Sequence, residues 1–343
     1  MFYHDGARRG RTFMTDEPQP TALPESGKPE GEPPARRGLL SEQIESGPFR
    51  ENWSAGWRLA TYIACAFFTV YVTMWFGTSF FHNAVSGRTA LWQEMYGETA
   101  LALGVLLPGF LMARIEATKF DEYGLPQKQA FGKLFWLGGV WGLTSITVLM
   151  LALRGAHAFY FGQVVLHGGR VVRFAAFWGV FFVVVGLTEE FAFRGYTQYT
   201  LAKRIGFWPA AGVFSLVFAA IHLRNPGETW VGLVGVVAIG LFFCLTLYHT
   251  GNLWFAVGFH AFWDWGQTYL YSVPDSGTVD VGHLMRPSFQ GPEWLTGGSV
   301  GPEGSVLCFA VIAAVSGVFA WRYRGARYEV TGSTGENPRP SGA

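Results

Sequence analysis

The chain has 343 residues, of which 50% are hydrophobic, 17% aromatic and only 14% charged, with a formal net charge of +1. A mean hydropathy of +0.22 and apolar runs near 20 residues long exclude an ordinary soluble domain and imply membrane-spanning helices. The near-zero charge, with no basic patch alternating with exposed aromatics, argues against a nucleic-acid partner.

Residues 1–52 are rich in Pro, Gly, Glu and Arg and have almost no apolar periodicity. They read as a disordered cytoplasmic tail, and no h-region close to Met1 marks a signal peptide. A membrane domain is expected over 53–325, with a polar tail over 326–343. Its first span runs from about Trp57 to Phe76. The second, about Thr99 to Ala113, is short and flanked by Glu98 and Arg114, with a kink expected at Pro108-Gly109. A basic loop leads to the third span, about Leu134 to Leu153. The fourth is a long helix, about Phe174 to Leu201. A turn at Gly206 to Pro209 precedes the fifth, about Ala210 to Leu223. The sixth covers about Trp230 to Tyr248 and the seventh about Leu253 to Tyr271. Residues 273–303 are Gly- and Pro-rich and read as an extramembrane loop, and the eighth span is about Ser305 to Trp321.

The fold class is therefore all-α, a polytopic bundle of about eight transmembrane helices, multi-pass and integral to the membrane, with lipid as a constant partner. Eight spans put both termini on one side, together with Arg114 to Lys133, Lys203-Arg204 and the arginines after Trp321. The positive-inside rule makes that side cytoplasmic. Arg154, Arg170 and Arg173 on the opposite side work against it. Cys65, Cys244 and Cys308 each lie in an apolar run, far apart, and read as buried thiols.

Few ionisable residues lie well inside these spans. Glu189, Glu190 and Arg194 sit in the fourth, His222 in the fifth, and His260 and Asp264 in the seventh. An acid or Arg at a helix centre costs roughly 2.5–3.5 kcal/mol to insert, so six such residues are best explained by one shared polar cavity. Glu190 and Arg194 are spaced i,i+4 and can pair, as can His260 and Asp264. Glu189 points about 100° away from Glu190 and is left for another task. At ~1.5 Å per helical residue, Glu189 lies roughly 20 Å, His260 roughly 12 Å and Asp264 roughly 18 Å from the same surface, so convergence is geometrically open.

A carboxylate and imidazoles in one buried pocket can serve hydrolysis, which needs an activated water and, at a carbonyl, a stabilised oxyanion. Glu189, desolvated, suits the general base, and His222 could share or orient the water. His260 is the candidate oxyanion donor. An ionised Asp264 can only accept hydrogen bonds, so it is assigned to orienting His260. The Glu190–Arg194 pair would fix the helix, and Phe218, four residues before His222, reads as packing. Metal-free catalysis is favoured, with zinc on Glu189, His222, His260 and Asp264 as the alternative, although no His-Glu-x-x-His helix is present.

Three patterns occur in order: Glu-Glu-x-x-x-Arg at Glu189, Glu190 and Arg194; Phe-x-x-x-His at Phe218 and His222; and His-x-x-x-Asp at His260 and Asp264. Together they resemble the CPBP (Abi) family of intramembrane proteases, which includes the CAAX prenyl protease. The resemblance covers about residues 174–272. It implies a membrane-embedded peptidase of about eight spans whose Glu and His activate water, acting on a membrane-associated protein or lipidated peptide, such as a prenylated C-terminus. The family allows Asn where this chain has Asp264, which leaves the oxyanion donor set open. A non-catalytic membrane binding protein, an immunity factor or scaffold using the same cavity, is the alternative. A transporter with a carboxylate relay is a third reading, against which stands the absence of an internal repeat.

Overall fold

The structure, a computed structural model, describes residues 54–81, 87–225, 227–278 and 281–325. The tails expected over 1–52 and 326–343 lie outside the described residues. Among the described residues ten α-helices form most of the fold: α1 Ala55–Phe81, α2 Gly87–Ile115, α3 Lys133–Gly155, α4 Gly169–Arg194, α5 Tyr196–Ile205, α6 Phe207–His222, α7 Trp230–Thr250, α8 Trp254–Asp264, the short α9 Glu293–Thr296 and α10 Val306–Arg322. Five helical stretches among the described residues are long and apolar enough to cross a membrane: 55–78, 91–115, 133–155, 169–205 (α4 with α5) and 230–250. The helices α6 and α10 are apolar but shorter. The fold is thus a helical membrane bundle, and α8 with the π-helical turn Trp265–Leu270 that follows it lies over the stretch expected as the seventh span.

The centre of the bundle is α8, apolar on nearly all sides and buried from Trp254 to Phe259. It packs between α3 and α4 at backbone contact distance, which only glycine allows. A Cβ on Gly138 would lie 2.0 Å from the Phe255 carbonyl oxygen, one on Gly142 2.2 Å from that of Phe259, and one on Gly258 2.0 Å from that of Phe135. Small residues at such crossings are how membrane helices approach closely without a hydrophobic driving force. At the other extreme, α1 turns Phe67, Phe68, Tyr71, Trp75 and Phe76 outward and seats mainly Tyr62, whose hydroxyl donates to the Val105 carbonyl at 3.0 Å.

Contacts between connections seal one end of the bundle. Arg58 pairs with Glu116 at 3.7 Å, the Tyr196 hydroxyl donates to Glu116 at 2.5 Å, and Tyr199 donates to Glu122 at 3.1 Å. Asn252 donates to Gln129 at 2.7 Å and Trp254 Nε1 to the Pro126 carbonyl at 3.1 Å. Burial works to raise the Glu122 carboxyl's pKa, but hydrogen bonds from Thr118, Tyr199 and the Lys119 backbone outweigh it and hold the group below its ordinary range.

Three features differ from the sequence reading. The second span extends back to Gly87 and so takes in Glu94 and Glu98. The long fourth helix is broken at Gly195, which has ψ −120, and the Thr197 hydroxyl satisfies the Ala192 carbonyl left at the break, at 2.6 Å. Finally, the bundle carries one antiparallel ribbon, β1 Phe159–Val164 with β2 Met285–Phe289. Its register shifts at Gly162, where φ is +69 and a Cβ would lie 1.8 Å from the Arg286 carbonyl oxygen. The segment expected as a plain loop over 273–303 therefore contains a strand, a short helix and a 3₁₀ turn at Pro302–Gly304.

Gly138→Val should separate α3 from α8 and cost about 1–3 kcal/mol or more, since the obstructing atoms are backbone. The check is thermal unfolding of the purified protein in detergent, where an unchanged midpoint would contradict the close crossing.

Candidate active site

The site is set by where α8 lies against α4. Gly186 lets α8 approach, since a Cβ there would meet the Val257 carbonyl at 3.1 Å and the His260 Cβ at 3.5 Å. One turn further along α4 come Glu189 and Glu190, level with His260. Glu190 is fully buried, and its Oε1 accepts from Arg194 Nη1 at 3.2 Å and from His260 Nδ1 at 3.0 Å. The opposite ring nitrogen, Nε2, lies 3.3 Å from Asp264 Oδ2 and 3.6 Å from Glu189 Oε2. Each imidazole nitrogen faces carboxylate oxygen, an environment suited to a ring donating from both.

Arg194 is likewise buried from solvent. Its guanidinium carbon sits 4.4 Å from the centre of the Phe218 ring, 5.6 Å from Phe243 and 5.9 Å from Phe193. Three aromatic faces thus supply what water cannot at this depth, since cation–π attraction strengthens on desolvation. Gly240 on α7 leaves room for this cation, a Cβ there falling 2.8 Å from Nη2. Phe218 therefore touches Arg194 on one side and, edge to face at 4.7 Å, the His222 ring on the other. Nδ1 of His222 lies 2.8 Å from the Phe218 carbonyl oxygen one turn back.

These side chains border a cavity of about 440 Å³ that includes Glu189, Phe218, His222, His260 and Asp264 in its wall. The sequence-nominated residues thus gather in two groups. Glu189, Glu190, Arg194, His260 and Asp264 form one connected network, whereas His222 lines the same cavity without joining it. Among the described residues no hydrogen bond or ion pair links His222 to Glu189. The partner of His260 Nδ1 is Glu190, a contact the spacing alone did not suggest.

Several wall residues escaped the sequence reading. Glu94 and Glu98 enter from α2; they are spaced i,i+4, a signal available had the span been started earlier. Asp275, Ser276 and Glu303 come from the 273–303 segment. Glu303 fastens that segment to the cavity: its Oε1 accepts from Trp263 Nε1 at 3.1 Å, and its Oε2 from the Ser276 backbone N–H at 3.0 Å and the Ser276 hydroxyl at 2.8 Å. Asn225, just beyond α6, donates to the Ser276 carbonyl at 2.9 Å. The π-helical turn after Asp264 adds Thr268, which donates to Asp275 at 3.0 Å, and Gln267, which donates to the Pro274 carbonyl at 2.7 Å. Nearby, burial and the Glu303 charge raise the Glu228 carboxyl's pKa. Among the described residues, no group of three or more His, Cys, Asp or Glu side chains is arranged to hold a metal ion.

Residues 171–266 match a family model described as Type II CAAX prenyl endopeptidase Rce1-like. The match spans α4 to the start of the π-helical turn and includes all three motif segments, so the resemblance to the CPBP proteases is supported over that stretch. No curated protein and no solved structure matches the chain.

Arg194→Met leaves the Glu190 carboxylate buried with one fewer cation and should cost about 3–5 kcal/mol. The double variant Glu190→Gln/Arg194→Met should lose less than Arg194→Met alone. Thermal unfolding of the variants in detergent reads both, and strictly additive losses would show that the pair is uncoupled.

Proposed function

We propose that this membrane protein is an intramembrane endopeptidase in which Glu189 activates water against a peptide carbonyl. The observation that supports it best is the juxtaposition of Glu189 with His260 at 3.6 Å beside a cavity large enough for a peptide segment, inside a largely apolar bundle. The family-model match, to a group of endopeptidases, supports the reaction class.

In this reading the water oxygen adds to the carbonyl carbon while the Glu189 carboxylate takes its proton. His222, on the same wall, orients that water. The carbonyl oxygen becomes an oxyanion and accepts from His260 Nε2, the ring nitrogen that faces Glu189. Glu190 holds the ring by its Nδ1, and Arg194 pairs with Glu190 from the same helix. Asp264, i,i+4 from His260, steers Nε2 from the other side. When the C–N bond breaks, Glu189 returns its proton to the leaving amine, so atoms and charge balance without a redox partner. The substrate would be a membrane-associated protein or a lipidated peptide.

Catalysis is proposed to be metal-free, because a carboxylate and two imidazoles on one cavity wall can activate water and stabilise an oxyanion unaided. Zinc on Glu189, His222, His260 and Asp264 would draw on Nε2 of both rings, since Nδ1 of each is already turned to an oxygen.

Glu189→Gln keeps the size of a side chain that is 25% exposed, so expression and thermal stability should stay near wild type. Cleavage of a peptide library by the purified variant should be abolished, and wild-type turnover in Glu189→Gln would end the peptidase reading. Exhaustive chelation should leave wild-type cleavage unchanged. A loss that added zinc restores would move the four residues to a metal site.

A further inference from the structure

We propose that the cavity opens on the extracytoplasmic face of the membrane and that the substrates present their scissile bond there, close to the bilayer surface. This deepens the peptidase reading and rests on it. Two independent observations lead to it.

The first is the end of the bundle at which the cavity opens. Glu189, Phe243 and His260 lie deep. Beyond these and their mid-helix neighbours the wall is continued from one end only: Glu94 and Glu98 in the first half of α2, His222 at the last residue of α6, Gly235 and Val236 in the first turns of α7, and Cys308 near the start of α10. Asp275, Ser276, Thr278 and Glu303 belong to the segment that joins α8 to α10 at that same end. No residue of the opposite connections, 114–133, 203–207 or 250–254, contributes to the wall. Those connections are knitted shut by the Arg58–Glu116, Tyr199–Glu122 and Asn252–Gln129 contacts.

The second is the distribution of cations. The closed end carries Arg58, the four basic residues of the 114–133 connection (Arg114, Lys119, Lys128 and Lys133), the Lys203-Arg204 pair, and Arg322 with Arg324. Every lysine among the described residues is at this end. At the open end the cations are arginines spread thinly over several connections, Arg154, Arg170, Arg173, Arg224 and Arg286 among them. An excess of Lys and Arg in short loops marks the cytoplasmic side. The closed layer is therefore cytoplasmic. A peptide arriving from the cytoplasm, such as a prenylated C-terminus, would meet that layer and not the cavity, whereas an exported or membrane-anchored protein would meet the mouth directly.

The test places single cysteines at exposed positions outside the site, Gln290→Cys at the open end and Gln127→Cys at the closed end. A membrane-impermeant maleimide is applied to intact cells and then to permeabilised cells, with the unsubstituted chain giving the background from its three native cysteines. Gln290→Cys should label fully in intact cells with no gain on permeabilisation, and Gln127→Cys only after it. The reverse pattern overturns the proposal and leaves the peptidase reading untouched. In a second arm, membrane vesicles of both orientations receive a cleavable peptide from outside. Right-side-out vesicles should cleave it and sealed inverted vesicles should not; cleavage by inverted vesicles alone overturns the proposal. No cleavage in either orientation removes the substrate half of the proposal together with the peptidase reading, while the labelling decides the face by itself.

Discussion

A carboxylate with no access to water, Glu190, is held by a guanidinium from its own helix and an imidazole from another. Placing these charges in an apolar bundle is tolerable only if they neutralise one another, and the geometry of that neutralisation fixes α4 against α8. Fixing those two helices also fixes Glu189, one residue earlier and turned toward the cavity, at 3.6 Å from the far side of the same ring. The buried pair and the group facing the cavity are thus consequences of a single registration. The three aromatic rings around Arg194 extend it to α6 and α7, and through Phe218 it reaches His222.

Registration of this kind needs helices that cannot slide. Here the rigidity comes from backbone meeting backbone at Gly138, Gly142 and Gly258, with Gly186 on the opposite side of α8. Dispersion contacts at that range are the main cohesive force available among helices in lipid. The segment over the cavity mouth is fastened differently, by hydrogen bonds of the polar side chains Glu303, Asn225, Gln267 and Thr268. The deep part of the site is thus held by backbone packing, and the part nearest the mouth by side-chain hydrogen bonds.

Much of this was legible in the order of residues because charge inside an apolar run is conspicuous. Glu189, Glu190, Arg194, His222, His260 and Asp264 stood out for that reason, and the helical segments followed from their apolar runs. What stayed hidden depended on packing between distant segments. The bond from Glu190 to His260 requires knowing which turn of α4 faces which turn of α8, and intrahelical spacing is silent on that. Glu94 and Glu98 were missed because the apolar run appeared to start only at Thr99, although the helix begins a few turns earlier. The break at Gly195 gave no signal, since a lone glycine is tolerated inside a helix. The ribbon pairs strands that lie on either side of α4 to α8 in the chain, so neither strand announces its partner.

The two bonds of Glu190 also differ in when a growing chain can make them. Arg194 is four residues away and is present as soon as that turn of α4 winds, whereas His260 is synthesised 70 residues later. A half-made polypeptide therefore carries its buried acid into the bilayer already matched by a neighbour on the same helix. The long-range partner arrives afterwards, converting a locally neutral helix into a docking template for the centre of the fold, so that biogenesis and the final architecture draw on the same carboxylate in succession.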